Sequence, residues 1–128
     1  MNSKRILVVD DQEVIREMFK TAFERAGYAV LTSGSAEEAL DIMSKTPCSV
    51  LFLDLDLPGM SGIELCRIVR QKWPMAIPNA VTGYTTLYQL VECREAGFED
   101  YFPKPVKMSV LREAAERAFE KIERWKLK

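Results

Sequence analysis

The chain contains no histidine. That absence excludes Ser-His-Asp and Cys-His catalysis, histidine-ligated zinc, and any role as a phosphohistidine donor. Cysteine is scarce: Cys48, Cys66 and Cys93 are the only three and show no metal-binding spacing. An odd count without a secretory leader points to a reducing, cytoplasmic setting rather than a disulfide framework. No apolar run approaches the length that crosses a bilayer, so no membrane association is expected. An excess of one charge is also missing. Eighteen basic and 19 acidic residues, with signs interspersed, leave a net charge of −1. There is thus no electrostatic footprint for nucleic acid or an anionic membrane. Carboxylate, hydroxyl and lysine chemistry remain.

The 128 residues, 48% hydrophobic and 29% charged, suit one soluble globular domain over residues 1–128 with a core that needs no staples. Internal repeats and low-complexity segments are absent. Ile6-Leu7-Val8-Val9 is short, apolar on both faces and partly β-branched, as a buried parallel strand should be. A helical pattern follows from Gln12 to Ala26, with Ile15, Met18, Phe19, Ala22, Phe23 and Ala26 at helical spacing and Gly27 as its stop. Tyr28 to Thr32 reads as a second strand. Ser35 and Glu38 then form a capping box for a helix with Ala39, Leu40 and Met43 inward. Val50-Leu51-Phe52-Leu53 is the strongest buried strand. Ser61 and Glu64 open a helix that Pro74 terminates.

Ala76 to Val81 is a weaker fourth strand. Thr86 and Gln89 repeat the capping signature for a helix through Ala96, and Tyr101-Phe102 makes a short fifth strand. Ser109 is expected to cap a last helix whose inward stripe is Leu111, Ala114, Ala118, Ile122 and Trp125. Five strands alternating with five helices predict an α/β doubly wound parallel sheet. In such sheets the site lies at the carboxyl ends of the strands. The residues just past those ends are Asp10 and Asp11, Asp54, Thr82 and Lys104.

Three carboxylates converging at one rim repel one another unless a cation neutralises them. An oxygen-only cluster suits Mg²⁺ (or Mn²⁺), which keeps several waters and binds one or two carboxylates plus a phosphate. Asp11 and Asp54 are the expected direct ligands, Asp10 acts through water, and the backbone carbonyl of Asp56 supplies a further oxygen. Thr82 and Lys104 bring a hydroxyl donor and an ammonium, the parts that neutralise a phosphoryl group's oxygens. Asp54 lies between them and is the natural nucleophile, since a carboxylate can form an aspartyl-phosphate. Gly83 leaves room for an incoming phosphodonor. Pro105 is a candidate for a cis peptide bond after Lys104. Taken singly, each signal has a bland reading: a helix N-cap, an ordinary loop, a solvated lysine, a core tyrosine. Their joint placement at successive strand ends is what singles them out.

The chain resembles the receiver domains of bacterial response regulators over nearly its whole length. The resemblance is carried by Ile6-Leu7-Val8-Val9-Asp10-Asp11, by Leu53-Asp54-Leu55-Asp56-Leu57-Pro58-Gly59-Met60-Ser61-Gly62, by Val81-Thr82-Gly83, by Ala96-Gly97 with Asp100-Tyr101, and by Lys104-Pro105. It implies a flavodoxin-like fold with strand order 2-1-3-4-5 and phosphotransfer with Mg²⁺ from a histidine kinase or histidine phosphotransfer protein. By position, Asp54 matches the phosphoacceptor and Asp10 and Asp11 the acidic pair. Thr82, Lys104 and Tyr101 match the switch hydroxyl, the phosphate-binding lysine and the switch aromatic. The implied role is a phosphorylation-dependent signalling switch, not an enzyme with turnover. Its downstream effector or second copy would read the last two helices and the strand between them, roughly Thr86 to Ala96 and Tyr101 to Trp125.

Three features depart from the family pattern. Pro78-Asn79 falls where a β-branched apolar run is usual, which predicts a distorted fourth strand. Tyr84 is bulky beside the phosphoryl site, and Asp56 adds negative charge there. Leu53-Asp54-Leu55-Asp56 also resembles the nucleophile motif of haloacid-dehalogenase-like phosphatases, with Asp56 as general acid/base. Against that alternative, Asp10-Asp11 come early in the chain, and 128 residues leave little for a cap over a substrate.

Overall fold

The computed structural model describes residues 4–83 and 86–126. Five strands alternate with five helices: β1 Arg5–Val9, α1 Glu13–Arg25, β2 Ala29–Ser33, α2 Ala36–Lys45, β3 Val50–Leu53, α3 Gly62–Lys72, β4 Ile77–Thr82, α4 Leu87–Ala96, β5 Asp100–Pro103 and α5 Met108–Trp125. All pairings are parallel, and the sheet order is β2-β1-β3-β4-β5. The uninterrupted apolar runs of β1 and β3 are explained by that order: both strands lie inside the sheet with a helical layer on each face.

Alternation along the strands divides the core in two. Ile6, Val8, Val50, Phe52, Ile77 and Val81 face α1 and α5, where Phe19, Phe23, Leu111 and Phe119 cover them. Phe23 stacks on Phe52 with ring centroids 5.0 Å apart. Leu7, Val9, Leu51, Leu53 and Ala80 face α2, α3 and α4 and meet Met43, Leu65, Cys66, Val69 and Cys93. Among the described residues no helix is long and apolar enough to cross a membrane.

Three of the four predicted caps are present, and one is a complete box. Thr86 accepts from the Gln89 N–H while the Gln89 side chain accepts from the Thr86 N–H. Ser35 and Ser61 accept from the N–H groups of Glu38 and Glu64. The two glutamates turn elsewhere, Glu38 to the Gly34 N–H and Glu64 to Arg67.

Three expectations are corrected. The fourth strand is regular, pairing residue by residue with β3 and β5. The Ile77 N–H bonds to Ser49 on the β3 side, so the alternation turns Pro78 toward β5, where its carbonyl accepts from Glu99 at 2.8 Å. Pairing with β5 begins only at Asn79, so the donor that proline lacks has no partner waiting. Asn79 is buried and donates its side-chain amide to the Leu51 carbonyl at 3.2 Å. The last helix starts earlier than predicted. Lys107 is its N-cap, without a side-chain bond, and Ser109 lies within the first turn. At the other end Trp125 is 69% exposed and does not continue the buried stripe. Ala115 and Phe119, which the stripe omitted, are buried.

Candidate functional site

The carboxyl ends of β1, β3 and β4 and the segment after β5 form one rim, and each contributes a polar side chain. Asp10 continues the β1 ladder with its N–H on the Ser33 carbonyl and is 3% exposed. Its carboxylate is fully engaged: Oδ1 accepts from the Gln12 N–H at 2.9 Å, and Oδ2 accepts from Lys104 Nζ at 2.7 Å. Asp54 extends β3 by donating its N–H to the Val9 carbonyl at 2.9 Å. Its Oδ1 accepts from the Asp56 N–H at 3.2 Å, and its Oδ2 lies 3.3 Å from Lys104 Nζ. Asp11 projects from the β1–α1 loop and is exposed.

Carboxylate oxygens of Asp10, Asp11 and Asp54 lie within 4.8 Å of one another. Such a hard-oxygen trio fits Mg²⁺, and its members are not equivalent. Asp10 has both oxygens occupied by donors, whereas Asp11 is open to solvent and Asp54 holds Lys104 only loosely. This asymmetry suits the expected split between Asp11 and Asp54 as direct ligands and Asp10 as an outer one. The Asp56 carboxylate is exposed and outside the trio. Only its N–H touches Asp54, so the geometry gives no support to a general acid/base role for its side chain.

Lys104 reaches the rim because its N–H bonds to the Thr82 carbonyl at 2.8 Å, clasping the end of β5 to the end of β4. The Lys104–Pro105 peptide bond is cis. Burial pushes the lysine pKa down, but the hydrogen bond and charge of Asp10, followed by those of Asp54, more than offset it. The net shift is upward, so the ammonium is fully charged at neutral pH.

Thr82 is buried at the end of β4. Tyr101 is half-buried against the α2–α3–α4 side of the core and stands opposite Ala80, two residues before Thr82 on the same face. A Cβ on Gly83 would meet nothing within 4 Å. Tyr84 lies outside the described residues. Two supporting residues, Arg16 and Glu37, went unread in the sequence, and Gly62 was read only as part of a family motif, without the close approach that requires it. Arg16 donates to the Asp10 carbonyl at 2.8 Å, and Glu37 accepts from the Met60 N–H at 3.2 Å. Gly62 backs so closely on the Asp54 carbonyl that a Cβ would fall 2.1 Å from its oxygen. The signals of the first two, a helical arginine and a second glutamate, are too common to single out.

A five-stranded parallel sheet in this order, with its acidic trio at the carboxyl rim, is a flavodoxin-like α/β domain. The chain belongs to the response regulator receiver domain family, whose model matches residues 6–116. Receiver domains are signalling domains of two-component systems rather than classical enzymes. The chain is 31% identical over 117 residues to sporulation initiation phosphotransferase F of Bacillus subtilis, covering 91% of this chain and 94% of that protein. It is 32% identical over 107 residues to a cyclic di-GMP phosphodiesterase of Thermotoga maritima, covering 84% of this chain but only 28% of that protein. The crystal structure of a CheY-like receiver domain protein from Methanospirillum hungatei superposes with a TM-score of 0.93 at 32% identity, covering 96% of this chain and 98% of that one.

Proposed function

We propose that the chain is a phosphorylation-dependent switch that accepts a phosphoryl group on Asp54 from a histidine kinase or histidine phosphotransfer protein. The observation that carries this reading is the Lys104 ammonium, held 2.7 Å from Asp10 and 3.3 Å from Asp54 at the strand-end rim. A buried carboxylate beside a lysine that is not fully committed to it can attack phosphorus and hand the lysine to the new group. In the transfer, an Asp54 oxygen forms the bond to phosphorus while the donor's P–N bond breaks. The departing imidazole keeps its electron pair and takes a proton from solvent.

The chain's own residues divide the remaining work. The Asp56 N–H holds one Asp54 oxygen and orients the carboxylate. Lys104 moves from Asp10 and Asp54 toward a phosphoryl oxygen, as a point charge. Thr82 donates to another oxygen and draws its loop inward. Asp11 and Asp54, with Asp10 behind them, would hold Mg²⁺, which supplies counter-charge to the phosphoryl oxygens.

The inward movement of Thr82 frees space beside Ala80 into which the half-buried Tyr101 turns. The surface that changes is α4, β5 and α5. Leu87 and Tyr88, at the start of α4, are 78% and 72% exposed, apolar area suited to an effector or a second copy of the chain. Incubation with Mg²⁺ and a small acyl phosphate should add one phosphoryl group, seen by intact mass. Asp54→Asn should abolish the addition while keeping the fold. Labelling of Asp54→Asn at the wild-type rate would overturn the assignment.

A further inference from the structure

Asp10 is held at its N–H by Ser33, at its carboxylate by Gln12 and Lys104, and at its carbonyl by Arg16 Nη1, 2.8 Å away. The carbonyl contact is the one that strand and helix geometry do not require. Arg16 also opens the α1 ladder, its N–H donating to the Gln12 carbonyl at 3.1 Å. A single residue therefore pins the carbonyls of Asp10 and Gln12 from its two ends. The residue between them is Asp11, whose exposed side chain has no hydrogen bond of its own among the described contacts.

Gly34 provides a second, independent observation. It sits in the β2–α2 loop, and its φ is outside the left-handed region, so its backbone does not call for glycine. Space is tight instead: a Cβ there would stand 3.2 Å from Arg16 Nη1, so the guanidinium would have to give by a few tenths of an ångström. The loop leaves a slot for the guanidinium beside the Asp10 carbonyl.

We propose that Arg16, seated in the slot left by Gly34, is a positioning residue that fixes the Asp10–Asp11 peptide and so aims the Asp11 carboxylate at the cation. This rests on the reading of Asp10, Asp11 and Asp54 as a divalent-cation site. Two roles for Arg16 predict opposite signs. As a charge, the guanidinium repels an incoming cation, so its removal would tighten binding. As a positioner, its removal lets the Asp11 segment wander and weakens binding, as loss of an outer support to a metal ligand does.

The test is Mn²⁺ binding to the full chain, with Mn²⁺ alone as probe, followed by the electron-paramagnetic signal of the free ion, with melting recorded alongside. Arg16→Met should weaken binding about 10–100-fold. Arg16→Lys, which keeps a donor within reach of the carbonyl, should recover most of the loss. Gly34→Ala, which crowds the slot without touching the charge, should weaken binding in the wild-type background and add nothing to Arg16→Met. Equal or tighter binding by Arg16→Met overturns the proposal, as does failure of lysine to rescue it. Additive losses from Gly34→Ala and Arg16→Met overturn the slot. A wild-type chain that binds no Mn²⁺ sinks the cation-site reading and the positioning role together. Normal wild-type binding with unaltered variants sinks the positioning role alone.

Discussion

Lys104 Nζ stands 2.7 Å from Asp10 Oδ2 but 3.3 Å from Asp54 Oδ2, so the lysine leans toward the carboxylate that is not expected to react. That lean leaves Asp54 more available than Asp10 and makes the lysine a clasp across β1, β3 and the end of β5. Lys104→Met would leave two buried carboxylates facing each other without their counter-charge. Stability should fall by about 1.5–3 kcal/mol, the scale of a hydrogen bond to a charged group. Mg²⁺ should restore part of the loss by supplying the missing positive charge. Urea midpoints measured with and without Mg²⁺ check both, and an unchanged midpoint without the metal would contradict the clasp.

Gly62 and Gly83 form a contrasting pair. A Cβ on Gly62 would strike backbone, 2.1 Å from the Asp54 carbonyl oxygen and 2.9 Å from Leu55 Cα, whereas one on Gly83 meets nothing within 4 Å. Gly62→Ala should therefore cost about 1–3 kcal/mol, the range for overpacking, and should slow phosphorylation of Asp54 by shifting its peptide. Gly83→Ala should change stability by less than about 0.5 kcal/mol. Chemical unfolding and acyl-phosphate labelling of the two variants decide the matter.

Alkaline stability should be shaped by Cys66. Burial pushes its thiol from 9.0 up to about 12, with smaller opposing and supporting effects from Arg70 and Cys93. In the unfolded chain the thiol loses its proton near 9, while in the folded protein it keeps it. The folded state then binds more protons between those values, so stability falls as pH rises from about 9 toward 12. Cys66→Ala should flatten this decline by about 1.4 kcal/mol per pH unit, the contribution of one proton. Urea midpoints from pH 8, below that window, up to 10.5, about its middle, provide the measurement.

Thr82 and Tyr101 should separate acceptance of phosphate from response to it. Thr82→Ala keeps Asp54, Lys104 and the acidic pair, so it should still take up a phosphoryl group. It loses one donor of the few that together must supply about 5.5 kcal/mol to carry a switch from 1:99 to 99:1. NMR shift changes at Tyr101 and along α5 on phosphorylation should therefore shrink relative to wild type. Full-sized changes in Thr82→Ala would remove the hydroxyl from the switch.

The parts of the fold that were legible are those where local pattern and tertiary burial agree. β1 and β3 announce themselves because strands covered on both faces need no polar alternation, and Ser35, Ser61 and Thr86 announce helix starts because their hydroxyls are the caps. Pro78-Asn79 misled because proline's missing donor matters only if a neighbour awaits it, and the register with β5 is not written in β4. Ser109 misled because α5 begins without a side-chain cap. Trp125 keeps the helical spacing of Leu111 and Ala118 but overruns its support. The 18-residue helix is about 27 Å long, against about 20 Å for the six residues of β4. Periodicity records which way a residue faces and says nothing of where the sheet ends. At the rim, strand order was enough to gather Asp10, Asp11, Asp54, Thr82 and Lys104. The preference of Lys104 for Asp10, and the grip of Arg16 on the carbonyl, depend on distances that no spacing encodes.

The Lys104–Asp10 contact joins residues 94 positions apart. On a ribosome adding roughly 5–20 residues per second, the acidic pair waits about 5–20 s for its lysine. Until β5 has been made, the carboxylates of Asp10 and Asp54 lack the ammonium that bonds them in the finished fold. The last quarter of the polypeptide therefore completes the electrostatics of its first ten residues, and divalent cations in the surrounding fluid are the natural stand-in during that interval.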